Sequence, residues 1–133
     1  MILVDTCVWL DVLQDDPRWA EWSQTQLDLA MHRGGIAINP VIYAELSVGF
    51  DRIERLDAVL AQLSATLEEL PRQALFLAGK AFRQYRARQG ERKGVLPDFF
   101  IGAHAAVSGL PLLTRDVTRI RGYFPTVVLL APG

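Results

Sequence analysis

Five short β-prone runs are separated by helical stretches along the whole chain, and that alternation leaves few ways to fold. Ile2 to Val4, Ile36 to Ile38, about Thr66 to Glu68, Leu112 to Leu113 and Val127 to Leu130 read as strands. Helices are predicted near residues 7–14, 18–32, 40–49, 51–63, 72–89 and 97–108. Apolar runs without polar alternation suit strands buried on both faces. Strands alternating with helices predict a parallel sheet covered on each side, an α/β sandwich.

With 133 residues the chain fits a single domain, 1–133, that buries roughly two-thirds of its unfolded surface without disulfides. Half of the residues are hydrophobic and 22% are charged, which excludes a disordered chain. No apolar run approaches the roughly 20 residues that a spanning helix needs, so no membrane association is expected. The N-terminus carries no basic region before its apolar segment, and Cys7 is the only cysteine, so the expected location is the cytoplasm. A net charge of −1 gives no global attraction for a polyanion. Basic residues do cluster locally: Arg83, Arg86, Arg88, Arg92 and Lys93 precede Asp98, and Arg115, Arg119 and Arg121 surround Asp116. These groups read either as solvated surface or as contacts for a phosphate backbone. The polar stretch from Gln89 to Gly94 is the expected mobile segment.

Local signals place two helix starts. Asn39-Pro40 reads as an N-cap with proline at the first helical position, and Leu96-Pro97 repeats the proline ahead of Asp98. Gly109 with Pro111 ends the second helix, whose apolar residues on nearly every side predict a central, buried element.

Against this apolar background four acids stand out. Asp5 follows Ile2-Leu3-Val4 and Asp116 follows Leu112-Leu113 by two residues, so both belong at the carboxyl edge of the sheet, where open parallel sheets bind ligands. Glu45 interrupts a helical stripe of Val41, Ile42, Val48 and Gly49, and Asp98 heads one of Ile101, Gly102 and Ala105. An ionised acid is rarely buried unless it is paired or binds a metal. Four together predict one shared site for a hard divalent cation, which is chemistry suited to phosphodiester hydrolysis. Thr6 and Thr114, beside two of the acids, are candidates to position water or a phosphate, as is Arg115. Each acid also admits a purely structural role: Asp5 or Asp116 capping a helix, Asp98 complementing a helix dipole, Glu45 pairing with a buried arginine. Asp11, Asp15, Asp16, Asp51 and Asp57 lack the apolar context and read as surface or capping acids. His104 reads as a polar residue on a helix side, and Cys7 as a small buried residue.

The segments Met1-Ile-Leu-Val-Asp5-Thr6, Val41-Ile-Tyr-Ala-Glu45-Leu, Leu96-Pro-Asp98-Phe-Phe-Ile-Gly-Ala-His-Ala and Leu112-Leu-Thr114-Arg-Asp116 resemble, in this order and spacing, the PIN-domain family, specifically VapC-type toxin ribonucleases. The resemblance covers essentially the whole chain. It implies a PIN-like three-layer α/β/α sandwich with a parallel five-stranded sheet in the order 3-2-1-4-5. It further implies an endoribonuclease dependent on Mg²⁺ or Mn²⁺, with Asp5, Glu45, Asp98 and Asp116 as catalytic and metal-binding acids. The implied partners are RNA, a cognate VapB-type antitoxin and a second copy of the chain. Trp9, Leu10, Leu13, Trp19 and Trp22 are candidates to line the antitoxin groove, with core packing the competing role for each. Two other readings remain: a catalytically silent PIN-like module that binds RNA or protein, and a receiver-like phosphoacceptor domain. The latter wants an Asp ending the third strand, where Thr66-Leu-Glu-Glu-Leu70 supplies none.

Overall fold

A computed structural model describes residues 1–89 and 96–133. The expected mobile segment from Gln89 to Gly94, with Arg92 and Lys93, falls outside the described residues apart from the last helical position at Gln89. The elements run β1 (Ile2–Val4), α1 (Thr6–Leu13), α2 (Ala20–His32), β2 (Ile36–Ile38), α3 (Pro40–Ser47), α4 (Ile53–Gln62), β3 (Thr66–Leu67), α5 (Arg72–Gln89), α6 (Pro97–Ser108), β4 (Leu112–Leu113), α7 (Thr118–Tyr123) and β5 (Leu129–Leu130). All strand pairs are parallel and the sheet order is β3-β2-β1-β4-β5. The chain steps outward from β1 on one side, crosses back over the sheet, and steps outward on the other. Right-handed crossovers in opposite directions cover both faces with helices. Every residue of β1, β2 and β4 is buried, as strands between two helical layers require.

The order reverses between β1 and β4, which pair through Leu3 with Leu112 and Val4 with Leu113. This register places the next residues, Asp5 and Thr114, side by side just beyond the sheet. The Asp5 N–H donates to the Leu113 carbonyl at 2.9 Å, and the Thr114 N–H donates to that of Leu130 at 3.0 Å. Both positions are thus pinned by the ladder itself.

Helix α6 is the central helix. It packs on α5, α3 and α7, and Phe99, Ile101, Ala103 and Ala105 are buried. A β-carbon at Gly102 would meet the Phe124 ring at 2.7 Å from its Cε2 and Ile120 at 3.0 Å, so only glycine lets α7 lie this close. Gly109 ends the helix in the left-handed region at φ 64°. Around Phe99 the rings of Phe82, Tyr85, Tyr123 and Phe124 pack mostly edge to face.

Several boundaries differ from the sequence reading. β5 is confined to Leu129–Leu130 because a turn at Pro125 and Thr126 and a bend at Val127 precede it, and Val128 is 62% exposed. Helix α7 was not expected: it spans six residues, contains Gly122 and buries only Ile120, so it leaves no periodic pattern. α3 ends at Ser47, so Val48 and Gly49 do not continue a stripe through Glu45, and Val48 is almost wholly exposed. Glu45 instead lies at the half-buried edge of a helix whose core side is Ile42 and Leu46.

Candidate active site

Asp5 is the N-cap of α1, and each of its carboxylate oxygens accepts a hydrogen bond from a neighbour. Oδ1 accepts from the Thr6 N–H at 2.8 Å, and Oδ2 accepts from the Thr114 hydroxyl at 2.7 Å. The Cys7 thiol lies 3.6 Å from Oδ2. Burial pushes the Asp5 carboxyl up, and the nearby negative charge of Asp98 pushes it further, against the lowering effect of the Thr114, Thr6 and Cys7 bonds. Burial and the charge of Asp5 likewise raise the Cys7 thiol to about 11, so it stays protonated.

The two threonines link the site together. The Thr6 hydroxyl donates to Glu45 Oε1 at 2.6 Å, tying α1 to α3. The Thr114 oxygen, besides serving Asp5, accepts from the Asp116 N–H at 3.1 Å. Glu45, Asp5 and the Asp116 backbone are thereby joined through Thr6 and Thr114. Both hydroxyls orient protein groups, and this occupation accounts for their burial. The Asp116 carboxylate is exposed, at a hollow shared with Tyr85, Thr118, Arg119 and Tyr123.

Asp98 stands in the first turn of α6, and its Oδ2 accepts from Arg119 Nη1 at 2.9 Å. A second link holds α6 in register with α3. Asn39 caps α3 by accepting from the Ile42 N–H at 2.9 Å, which turns its amide nitrogen toward His104 Nδ1 at 3.1 Å. That nitrogen must then be an acceptor, so the ring is neutral. Burial lowers the His104 pKa, opposed by the charge of Glu68. With the folded value below 6.5, the unfolded chain binds more protons between the two values, and stability is lost as pH falls through that window. Thermal unfolding followed from pH 7 to pH 5 is expected to show a midpoint that drops more steeply for the wild type than for His104→Gln. Equal slopes would remove this account.

The arginine expected to hold substrate is committed elsewhere. Arg115 forms a bidentate pair with Asp11, Nε to Oδ2 at 2.7 Å and Nη2 to Oδ1 at 2.8 Å. Asp11 is buried and also accepts from the Ser23 hydroxyl at 2.7 Å, which corrects its reading as a surface or capping acid. The sequence hid this pair because its members are 104 positions apart. Asp16 accepts from the N–H groups of Arg18 and Trp19 in the turn that leads into α2, whose N-cap is Trp19.

The five groove candidates differ in their surroundings. Trp9 is a core residue, 1% exposed, because α1 turns it inward. Leu13 is exposed and borders a shallow hollow with Val12, Leu27, Val59 and Leu63, where the Trp9 ring forms part of the floor. Trp19 and Trp22 pack edge to face, 6.1 Å between centroids, and Trp19 lies under both Arg18 and Arg115. Leu10 is half-buried against the core.

A scan against protein families matches residues 2–121 to the PIN domain. The chain belongs to the PIN-domain family. Among solved structures it is similar to a VapBC2 complex from Rickettsia felis bound to a promoter DNA fragment, at 21% identity and TM-score 0.73 over all of both chains. It also resembles a DNA-bound VapBC from Salmonella typhimurium, at 22% identity and TM-score 0.68 over 98% of each chain. A toxin-antitoxin complex from Klebsiella pneumoniae matches at 23% identity and TM-score 0.67 over 96% of each. At such identities the likeness is one of fold. No curated protein sequence matches significantly. The receiver-like reading falls with the family assignment and with the sheet order, in which β3 is an edge strand.

PIN domains are generally nucleases and typically use divalent metals. In this PIN domain no three acidic, histidine or cysteine side chains among the described residues form a closed metal cage. The negative charge of Asp98 nevertheless reaches Asp5 and helps to raise its carboxyl pKa. That pairing fits a cation such as Mg²⁺, which keeps several waters and takes one or two carboxylates. No helix of the described residues is long and apolar enough to cross a membrane.

Proposed function

We propose that this PIN domain is a metal-dependent endoribonuclease, the toxin of a VapBC-type pair. The observation that carries the reading is Asp5, a half-buried carboxylate fixed by two hydrogen bonds at the sheet's reversal point and acted on by the charge of Asp98. Mg²⁺ or Mn²⁺, held by Asp5 and Asp98 with Glu45 and Asp116 in support, would polarise the phosphoryl group, furnish the nucleophilic water and neutralise the leaving oxygen.

The chain's own residues prepare that chemistry. Thr114 and the Thr6 N–H each take one lone pair of Asp5, so its remaining lone pairs have a fixed direction. The Thr6 hydroxyl holds Oε1 of Glu45. Asp116, exposed and placed by its N–H bond to Thr114, is free to accept from a water. Preorganised carboxylates need no rearrangement during the reaction, which is where positioned charge contributes most. The hollow at Leu13, Val12, Val59 and Leu63 supports an apolar partner segment such as a VapB-type antitoxin would supply. The buried Trp9 indole N–H, without an acceptor among the described residues, points the same way. A homodimer in the cytoplasm completes the proposal.

Arg119 on Asp98 favours one other reading, a PIN scaffold that binds RNA without cutting it, because that carboxylate already has a cation. Incubation with structured RNA in Mg²⁺ or Mn²⁺, with mapping of new RNA ends, separates the two. Cleavage is expected to vanish in EDTA and in Asp98→Asn. RNA affinity without new ends under either metal would favour the binding module, and cleavage unaffected by both controls would sink the mechanism.

A further inference from the structure

Two arginines lie beside the acids, and their bonding differs. Arg115 is doubly bonded to a carboxylate that is 3% exposed and is not exchangeable. Arg119 makes a single bond, from Nη1 to Asp98 Oδ2, with both side chains about one-third exposed, at 34% and 35%. Among the described residues its Nε and Nη2 make no hydrogen bond. Its guanidinium sits 5.3 Å from the Tyr85 ring centre and 5.7 Å from that of Phe99. An ion pair this exposed is readily broken, whereas two ring faces keep the cation in place when the pair opens. Arg119 also borders the hollow that holds the Asp116 carboxylate.

A cation on Asp98 and a divalent metal on Asp98 exclude each other electrostatically. A guanidinium released from Asp98 but retained by the rings would lie at the mouth of the site with its fork open. That fork matches two oxygens of a phosphate. We propose that Arg119 is a phosphate-positioning residue: it rests on Asp98 when no metal is bound and turns to the RNA backbone when a divalent cation takes that carboxylate. The inference rests on the metal-nuclease reading. It adds a residue the resemblance does not supply, and a direction of coupling, in which Arg119 opposes metal and favours RNA.

The test uses the whole chain and two readouts. Calorimetric titration with Mn²⁺ alone is expected to show Arg119→Ala binding the ion about fivefold to tenfold more tightly than wild type, since one opposing charge near the metal has gone. In steady-state cleavage of an RNA oligonucleotide the same variant should raise KM about tenfold with a smaller fall in kcat, as loss of one phosphate contact predicts. Arg119→Lys keeps the charge and lacks the fork, so it should return Mn²⁺ affinity toward the wild-type value while recovering only part of the KM, a split that a purely structural role of the planar group on its rings would not give. Unchanged or weaker Mn²⁺ binding in Arg119→Ala, or an unchanged KM, overturns the proposal. Asp5→Asn serves as the separate control. If it does not weaken Mn²⁺ binding, the metal reading itself fails and the inference fails with it. If it does weaken binding while Arg119→Ala behaves as wild type, only the role of Arg119 is lost.

Discussion

Asp5→Asn is expected to abolish RNA cleavage while making the metal-free protein harder to unfold. The substitution is nearly isosteric: its carbonyl still accepts from the Thr6 N–H, and its amide can donate to the Thr114 oxygen, so the end of β1 and the start of α1 keep their bonds. What disappears is a negative charge in a desolvated position beside Asp98. Its folded pKa lies above 3.8, so the folded state holds that proton more tightly than the unfolded one. Stability is therefore lost as pH rises from 3.8 through the folded value, and at neutral pH the cost is fully present. Removing the charge should raise Tm at pH 7 in EDTA by about 3 °C, the usual scale for about 1 kcal/mol in a domain of this size. Metal reverses the order: added Mn²⁺ should raise the Tm of the wild type and leave that of the variant unmoved. Since a metal centre supplies several kcal/mol of transition-state stabilisation, cleavage should fall on the order of 10²- to 10³-fold or more. A variant that is less stable than wild type in EDTA, or that responds equally to Mn²⁺, would remove Asp5 from the centre of the site.

How far such features are legible in the sequence depends on the range of the interaction that fixes them. β1, β2 and the whole of α6 are set by short apolar runs, Pro97 and Gly109, all local signals, and they stand where periodicity and capping place them. The N-cap of α3 is equally local, yet the other half of Asn39's work, its bond to His104 sixty-five positions away, leaves no trace in either segment. The acids divide in the same manner. Asp5 announces itself because it ends an apolar strand, whereas Asp11 sits one turn into an amphipathic helix, where an acid usually faces water. Its burial becomes intelligible only when Ser23 and Arg115 arrive from other elements. Glu45 is singled out by a stripe that the structure does not contain. The stripe that singled it out breaks at Val48, and what brings Glu45 to Asp5 is the hydroxyl of Thr6.

That long-range pair also carries the largest expected effect on stability. Arg115→Ala would leave the Asp11 carboxylate buried with Ser23 as its one remaining hydrogen-bond donor among the described residues. Uncompensated charges in such positions typically cost about 3–5 kcal/mol, and for a domain of this length the Tm should fall by about 10–15 °C. The loss arises from the orphaned acid, so replacing both partners, Asp11→Leu with Arg115→Met, should recover most of it, whereas independent effects would add. Position gives the pair a second consequence. Asp11 is on α1, whose N-cap is Asp5, and Arg115 separates Thr114 from Asp116, so the bridge clamps the β4 loop against the helix that carries the central acid. Below its lowered melting point Arg115→Ala should therefore still cleave more slowly than wild type, with a larger effect on kcat than on KM, because the Thr114 contact to Asp5 loosens. The opposite pattern, a raised KM with unchanged Tm, would mean that the guanidinium leaves Asp11 to hold RNA and that the bridge is a resting contact.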